Sequence, residues 1–320
     1  MNEADEAASP IGHRTVTDAA VMTFGCLTGD YARMHFDHAT NGGPLIAHGL
    51  LSASWSLGAL TLQAPERLAI GDPAAFLAGY RVRFERPVHV GDRFSLRWTE
   101  GKTACVDGLA SNARRDTDFE ILNQHGEATA TGSVSVCITS PDGTPADTPE
   151  PPSPLQVEAR AGGSAPAPLF AEDLLEFGPR GESLGRTVTL SDLVSYAGFT
   201  GELNPAYLNE EFARQGRFGA RLTPPMWTFC LAFGDFLRDL LEAPLPSEDF
   251  AGHLGDSWRF LAPVRVGDTV RTRYQPITCR ASQSRPGQAI VEFALQLLNQ
   301  RDEVVQDGRV AMMIPMRPTD

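Results

Sequence analysis

The sequence predicts an α+β protein made of two repeated units, each a long helix wrapped by an antiparallel sheet. Three observations predict this: an internal repeat, a linker near the middle of the chain, and, in each half, an apolar helix-like stretch followed by alternating, strand-like segments. The length of 320 residues suits two domains of ordinary size, although one large domain is also compatible with it.

Four segments recur in the same order in both halves. They are "RTVT" at 14 and 186, "TGD" and "TGE" ending at 30 and 202, "FERPVHVGD" and "FLAPVRVGD" from 84 and 260, and "LNQHGE" and "LNQRDE" from 122 and 298. The first two pairs are offset by 172 residues (186 − 14) and the last two by 176 (260 − 84). The second copy therefore has four additional residues between its TGE segment and its long helix.

Each copy reads as the same series of elements. A short strand at "RTVT" leads into a short helix that ends at the TGD or TGE segment, and a long apolar helix follows at about 49–62 or about 226–241. The segments "GYRVRFERPVHV", "RFSLRWTE", "DFEILNQHG" and "ATATGSVSVCI" alternate apolar and polar residues, as half-buried strands do.

A segment rich in Pro, Gly, Ser and Ala separates the two copies. It offers little to bury, so we expect an extended connector over 141–168 between a first unit, 1–140, and a second unit, 169–320.

The composition excludes several classes of partner. Forty acidic against 27 basic residues give a formal charge of −13, which repels nucleic acid and anionic membrane surfaces. No apolar stretch reaches the length of a spanning helix and the N-terminus lacks an apolar signal core, so a cytoplasmic location is expected. The five cysteines show no Cys-x-x-Cys pair and predict neither a disulfide framework nor a thiolate zinc site.

The first unit combines "FGCLTGDYARMHFD", "GGPLIAHGLLSASWSLG" and "FERPVHVGD". Together these segments resemble the MaoC-like, hot-dog-fold (R)-specific enoyl-CoA hydratases (hydratase 2) and related acyl dehydratases, and the duplication resembles their double-hot-dog branch. The resemblance implies a tandem hot-dog that forms an intramolecular pseudo-dimer. The family motif is Gly-Asp-x-Asn-Pro-x-His, followed later by His-Gly at the start of the central helix. The first unit keeps Asp30, His35 and His48-Gly49, but has Ala32 and Arg33 in place of Asn-Pro.

The second unit departs from the motif at the reactive positions. It keeps Asn204-Pro205 but has Glu202 for the acid, Tyr207 for the histidine and Pro225 where the first unit has Gly49. Proline has no N–H, so Pro225 cannot donate a backbone hydrogen bond. We expect one working site, in the first unit, with the second unit shaping the acyl pocket.

Adding water to a 2-enoyl thioester requires a base, a proton donor and hydrogen-bond donors for the enolate oxygen. Asp30 and His35 can share one water, with Asp30 as base and His35 orienting the water and returning a proton. Gly49, at a helix start, is the expected oxyanion donor. We expect a hydro-lyase that needs no metal and no cofactor other than the coenzyme A of an acyl-CoA substrate, although an acyl-carrier thioester is an open alternative.

The remaining candidate residues are expected to bind substrate. His48 either contacts the substrate or is a core histidine bonded to backbone; Trp55 either lines an acyl tunnel or belongs to the core. Arg81 and Arg83 either hold coenzyme A phosphates or lie on a solvated strand face, and Arg33 would pair with a distal carboxylate such as that of mesaconyl-CoA.

Other functional readings stay open on the sequence alone. The histidines and acids around His35 also permit a metal-cluster reading. Other activities compatible with the chain are a hot-dog thioesterase and a non-catalytic acyl-CoA-binding subunit. The oligomeric state is either a monomeric pseudo-dimer or a homodimer.

Overall fold

The computed structural model describes residues 9–105, 113–138, 152–157, 166–246 and 252–318. Most of the predicted linker, at 141–151 and 158–165, lies outside the described residues. Within the described part of the chain no helix is both long and apolar enough to cross a membrane.

In its described residues the first unit contains one long central α-helix, three further α-helices and five strands. Its elements are β1 (Ile11–Thr15), α1 (Asp18–Thr28), α2 (Arg33–Phe36), α3 (His38–Asn41), α4 (Gly49–Gln63), β2 (Ala75–Phe84), β3 (Arg93–Cys105), β4 (Ala113–Leu122) and β5 (Ala128–Ile138). The predicted central helix is confirmed as α4. Strand β2 ends at Phe84, because the segment "ERPVHVGD" forms the turn into β3 and does not extend β2.

The second unit repeats this order with an extra short helix and an extra short strand at its start. Its elements are α5 (Leu174–Phe177), β6 (Gly181–Glu182), β7 (Arg186–Thr187), α6 (Leu190–Thr200), α7 (Pro205–Leu208), α8 (Glu210–Gln215), α9 (Pro225–Glu242), β8 (His253–Phe260), β9 (Thr269–Ala281), β10 (Gln288–Leu298) and β11 (Val304–Pro315). The four additional residues fall in the stretch that contains α8, which has six residues where α3 has four.

The described strands form one continuous antiparallel sheet. Its order is β1-β3-β4-β5-β2-β8-β11-β10-β9-β6, with β7 also paired to β9. The two units meet at the centre, where β2 pairs with β8 in a register that places Tyr80 opposite Trp258. The equivalent strands of the second unit therefore continue the sheet in the reverse order.

The central helix of each unit also packs against the other unit. A Cβ at Gly234, in the middle of α9, would lie 2.4 Å from the carbonyl oxygen of Thr28, at the end of α1. A Cβ at Gly58, in α4, would lie 2.0 Å from the carbonyl oxygen of Thr200, at the end of α6. Glycine in a helix interior costs about 1 kcal/mol relative to alanine, and here it allows each central helix to touch the segment that carries the acid of the other unit.

Candidate active site

Asp30 is turned into the interior at the end of α1. Gly29 has a φ of 80°, in the left-handed region that glycine adopts without strain, and its N–H donates to the Gly25 carbonyl at 2.8 Å. Asp30 is only 5% exposed, and its Oδ1 accepts a hydrogen bond from the Ala32 N–H at 3.2 Å. Its other oxygen, Oδ2, faces His35 and His48.

The imidazole of His35 has a fixed orientation. Its Nδ1 lies 2.6 Å from the Ile46 carbonyl oxygen, which can only accept, so Nδ1 carries the proton of the neutral ring. The unprotonated Nε2 lies 3.9 Å from Asp30 Oδ2. This distance is too long for a direct hydrogen bond, but it suits a water molecule that bonds both atoms.

His48 contacts both members of this pair. Its Nε2 donates to the Asp30 backbone carbonyl at 3.0 Å, and its ring stacks on that of His35 with centroids 3.8 Å apart. Burial, together with the neighbouring His35, lowers the pKa of His48 to about 3, so the ring is neutral. This geometry favours the core reading of His48 over direct contact with a substrate.

Asp30, His35 and His48 are also the residues on which the metal-site hypothesis depends. One nitrogen or oxygen atom from each of Asp30, His35 and His48 lies within 4.8 Å of the others, which would allow a shared cation. Because His48 Nε2 donates to a backbone carbonyl, the lone pair of this ring lies on Nδ1, and Asp30 Oδ2 and His35 Nε2 are the two ligand atoms left beside Nε2. Catalytic zinc sites use three protein ligands. The geometry therefore fits an acid/base pair with a supporting histidine better than a metal centre.

Helix α4 begins at Gly49, beside the pair. The first N–H groups of a helix have no partner within it, and the positive end of the helix dipole lies there. His48, which precedes the helix, provides no side-chain cap. A Cβ at position 49 would lie 2.8 Å from the ring of Phe84, so only glycine fits at this position without displacing that ring.

Asp30, His35 and Gly49 line one cavity of about 330 Å³. Both units contribute its apolar walls, which include Phe84, Ala130, Phe233, Leu237, Leu254 and Met312. The arrangement combines a water-binding acid/base pair, backbone donors at a helix start and an apolar chamber. It is suited to proton transfer on an apolar molecule that carries one polarised oxygen.

The structure does not bring the other four predicted substrate-binding residues to this cavity. Arg33 is exposed and pairs with Asp37 at 3.4 Å, because α2 turns its first residue outwards. Trp55 is buried in the core, where it packs against Phe94 with ring centroids 5.6 Å apart. Trp55 therefore fits the core alternative, and Arg33 is not placed to bind a carboxylate in this cavity.

Arg81 and Arg83 lie on the outward face of β2. Strand alternation turns Tyr80 and Val82 into the core and both arginines to solvent, and Arg83 pairs with Glu85 at 3.2 Å. They border a shallow surface depression and are not among the residues that line the large cavity. The solvated-face alternative therefore describes them better.

The second unit has a separate cavity of about 160 Å³ at the equivalent place. Glu202 and Tyr207 line it, and burial raises the pKa of Glu202 to about 8, so this carboxyl is protonated at neutral pH. Pro225 is the first residue of α9, in the place of Gly49. A neutral acid, a phenol and a missing backbone donor agree with the expectation that this unit lacks the acid/base pair.

Sequence reasoning did not single out the cavity residues that come from the second unit. His253 and Arg285 line the cavity, and so does Arg86 of the first unit. The repeat could have indicated His253: at the offset of 176 it corresponds to Leu77, which lines the smaller cavity.

Models of known protein families match both halves of the chain. The MaoC like domain matches residues 2–116, and the FAS1-like dehydratase domain region matches residues 178–308. A 3-hydroxybutyryl-CoA dehydratase from Methylorubrum extorquens is 31% identical over 149 residues, which are 47% of this chain and 86% of the relative. An (R)-specific enoyl-CoA hydratase from Rhodospirillum rubrum is 31% identical over 148 residues, which are 46% of this chain and 93% of the relative.

Solved structures match over nearly the whole chain. A MaoC domain protein dehydratase from Chloroflexus aurantiacus superimposes with a TM-score of 0.70 and 17% identity, covering 98% of this chain and 94% of that one. A Mycobacterium tuberculosis protein with a double hotdog fold superimposes with a TM-score of 0.65 and 19% identity, covering 97% and 95%. The predicted tandem hot-dog fold is confirmed, and the chain belongs to the MaoC-like dehydratase family.

Proposed function

We propose that the chain adds water to, or removes it from, the double bond of a 2-enoyl thioester, with coenzyme A as the thiol carrier. The observation that carries this proposal is the 3.9 Å separation of Asp30 Oδ2 and His35 Nε2, next to the helix start at Gly49 in one cavity. The names of the two curated relatives, a dehydratase and a hydratase of acyl-CoA thioesters, support the same reaction.

In the hydration direction, one water molecule is held between Asp30 and His35. Asp30 Oδ2 takes one proton, His35 Nε2 accepts the second hydrogen bond, and the water oxygen attacks C3 of the substrate. Electron density moves to the thioester oxygen, which accepts a hydrogen bond from the Gly49 N–H. The Asp30–His35 pair then returns the captured proton to C2, so water has been added and the protein is unchanged.

The walls of the cavity support an acyl chain larger than that of crotonyl-CoA. Phe233, Leu237 and Met312 all come from the second unit and extend the apolar chamber beyond the pair. We propose that this unit, from residue 169 onwards, serves as the acyl wall for a site in 1–140. Bulky, branched or dicarboxylic chains are the candidates, with mesaconyl-CoA as a test compound, although Arg33 is not placed to bind its carboxylate.

A thioesterase is less well supported. Hydrolysis of that kind was expected to use a carboxylate on the central helix, and α4, with the sequence "GLLSASWSLGALTLQ", contains none. The proposed hydration mechanism uses two side chains and a backbone N–H of the protein and requires no bound cofactor.

The proposal is tested by following the enoyl-thioester absorbance with crotonyl-CoA, 2-hexenoyl-CoA and mesaconyl-CoA. We expect Asp30→Asn and His35→Ala each to lower kcat by about 10²-fold or more. The matched control is Glu202→Gln, at the position equivalent to Asp30, which should leave the rate unchanged. Unchanged rates in both first-unit variants, or release of free thiol without loss of the double bond, would refute the proposal.

A further inference from the structure

One wall of the catalytic cavity carries a buried polar pair. His253, on β8, lines the cavity, and its Nε2 lies 2.8 Å from Oδ1 of Asp256. The side chains are 12% and 0% exposed. The described residues supply no hydrogen-bond partner to Asp256 Oδ2, and burial raises the pKa of this carboxyl. Burying a carboxylate in an apolar wall is costly, so a structural role alone explains the pair poorly.

The repeat shows that the fold does not require this pair. At the offset of 176, His253 and Asp256 correspond to Leu77 and Tyr80, an apolar residue and a phenol. A bulge in β8 turns both His253 and Asp256 inwards: Gly255 has a φ of 152°, and a Cβ there would lie 2.3 Å from the Val82 carbonyl oxygen. The polar pair is therefore particular to the wall that faces the working site.

The ring of His253 lies close to the reacting centre. It is 4.9 Å from the ring of Phe84 and stacks on Phe233 at 4.4 Å, measured between centroids. Phe84 is the ring that lies against Gly49. One aromatic ring thus separates His253 from the proposed thioester oxygen site.

The two ends of the cavity differ in exposure. Phe233 stacks on His253 and Met312 pairs with it in the sheet, and these two residues are 3% and 1% exposed, whereas Arg86 of the first unit is exposed. The charged phosphates of coenzyme A must stay hydrated, so they suit an exposed part of the cavity. The buried part beside His253 is then left for the acyl chain.

We propose that His253 is a specificity-determining residue that hydrogen-bonds an oxygen substituent, a hydroxyl or a carboxylate, on the acyl chain of the substrate, with Asp256 as its positioning residue. The inference rests on the proposed function and adds a substrate class to it. Because Asp256 holds Nε2, and the described residues supply no partner to Nδ1, Nδ1 is the atom left for the ligand. A neutral ring accepts from a hydroxyl and a protonated ring donates to a carboxylate.

The test compares kcat/KM for 2-hexenoyl-CoA, 6-hydroxy-2-hexenoyl-CoA and 2-hexenedioyl-CoA, which differ only at C6, and for crotonyl-CoA against 4-hydroxycrotonyl-CoA. We expect the wild type to prefer at least one oxygen-bearing compound about 10- to 100-fold over its plain counterpart. The compound preferred distinguishes a hydroxyl from a carboxylate ligand.

Three variants test whether His253 and Asp256 cause this substrate preference. His253→Leu introduces the residue of the equivalent position and should abolish the preference while the plain substrates keep their rates. His253→Gln, which retains hydrogen-bonding atoms, should keep part of the preference. Asp256→Asn, which can still accept from Nε2–H, should raise KM for the oxygen-bearing compound with little change in kcat, a split that a loss of folding would not produce.

Other results would overturn the inference. A wild type that favours the plain chains, or a preference that survives in His253→Leu, removes this role while leaving the hydratase proposal intact. Equal losses on plain and oxygen-bearing substrates in His253→Leu would mean that the pair supports the fold. Failure of the wild type to hydrate any enoyl-CoA would overturn both proposals.

Discussion

Replacing Gly234 by alanine tests whether the second unit positions the acid of the first. The new Cβ would lie 2.4 Å from the Thr28 carbonyl oxygen and 3.2 Å from the Asp30 backbone nitrogen, whereas ordinary contacts begin at 3.4 Å. Relief of the closer contact therefore needs about 1 Å (3.4 − 2.4). The segment that must give way carries Asp30, whose carbonyl also accepts the His48 hydrogen bond.

A displacement of about 1 Å at a catalytic group can lower the rate about 10²-fold. Overpacking of this kind also costs about 1–3 kcal/mol of stability. We therefore expect Gly234→Ala to lower both kcat for enoyl-CoA hydration and the free energy of unfolding, measured by the enoyl absorbance and by urea titration. The assay is run well below the unfolding midpoint, so that all molecules are folded.

Gly58→Ala is the matched control. Its Cβ would lie 2.0 Å from the Thr200 carbonyl oxygen, which calls for a larger displacement, about 1.4 Å (3.4 − 2.0), but next to Glu202 instead of Asp30. We expect an equal or larger loss of stability with kcat nearly unchanged. If the two variants lose activity in proportion to stability, or if Gly234→Ala retains full kcat, the idea that Gly234 positions Asp30 is wrong.

Two further predictions concern titration and metal. Burial raises the pKa of Glu202 to about 8 from its usual value of 4.5, so its contribution to stability is present below about pH 4.5 and is lost as the pH rises through about 8. The wild type should lose up to about 4 kcal/mol relative to Glu202→Gln between pH 5 and pH 9 in urea titrations, and parallel profiles would contradict this. Because His48 Nε2 is engaged as a donor, dialysis against EDTA should leave the hydration rate unchanged; loss of activity that zinc restores would favour the metal reading.

Local patterns and the repeat were sufficient to predict the fold, and they singled out three residues, Asp30, His35 and Gly49, that the structure places in one cavity. The strand and helix periods and the shared segments gave the order of elements, and the short spacing from Asp30 to His35, followed by His48-Gly49, indicated which residues the loop brings together. These features depend on neighbours in sequence. The close contacts at Gly58 and Gly234 depend on the pairing of two units that are distant in sequence. No local sequence pattern therefore indicates them.

The alternatives that the sequence left open concern residues whose role depends on side-chain direction. Arg81 and Arg83 have a plausible charge for binding phosphate, but the alternation of β2 turns them to the outer face of the sheet. Trp55 faces Phe94 because its side of α4 packs on the sheet of its own unit. Conversely, His253 reaches the cavity only because a bulge at Gly255 shifts the alternation of β8.

The contacts between the units limit which side chains the second unit can accept near the first-unit cavity, although the second unit lacks the acid/base pair. Gly234 must remain small for Asp30 to keep its place, and Phe233, the residue beside it, forms the cavity wall and stacks on His253. At the equivalent position in its own unit, the second unit carries Glu202, an acid that is buried, neutral and hydrogen-bonded to Tyr207. Changes at Glu202, Tyr207 or Pro225 are therefore expected to act on stability, whereas changes along α9 and β8 act on the catalytic cavity of the first unit.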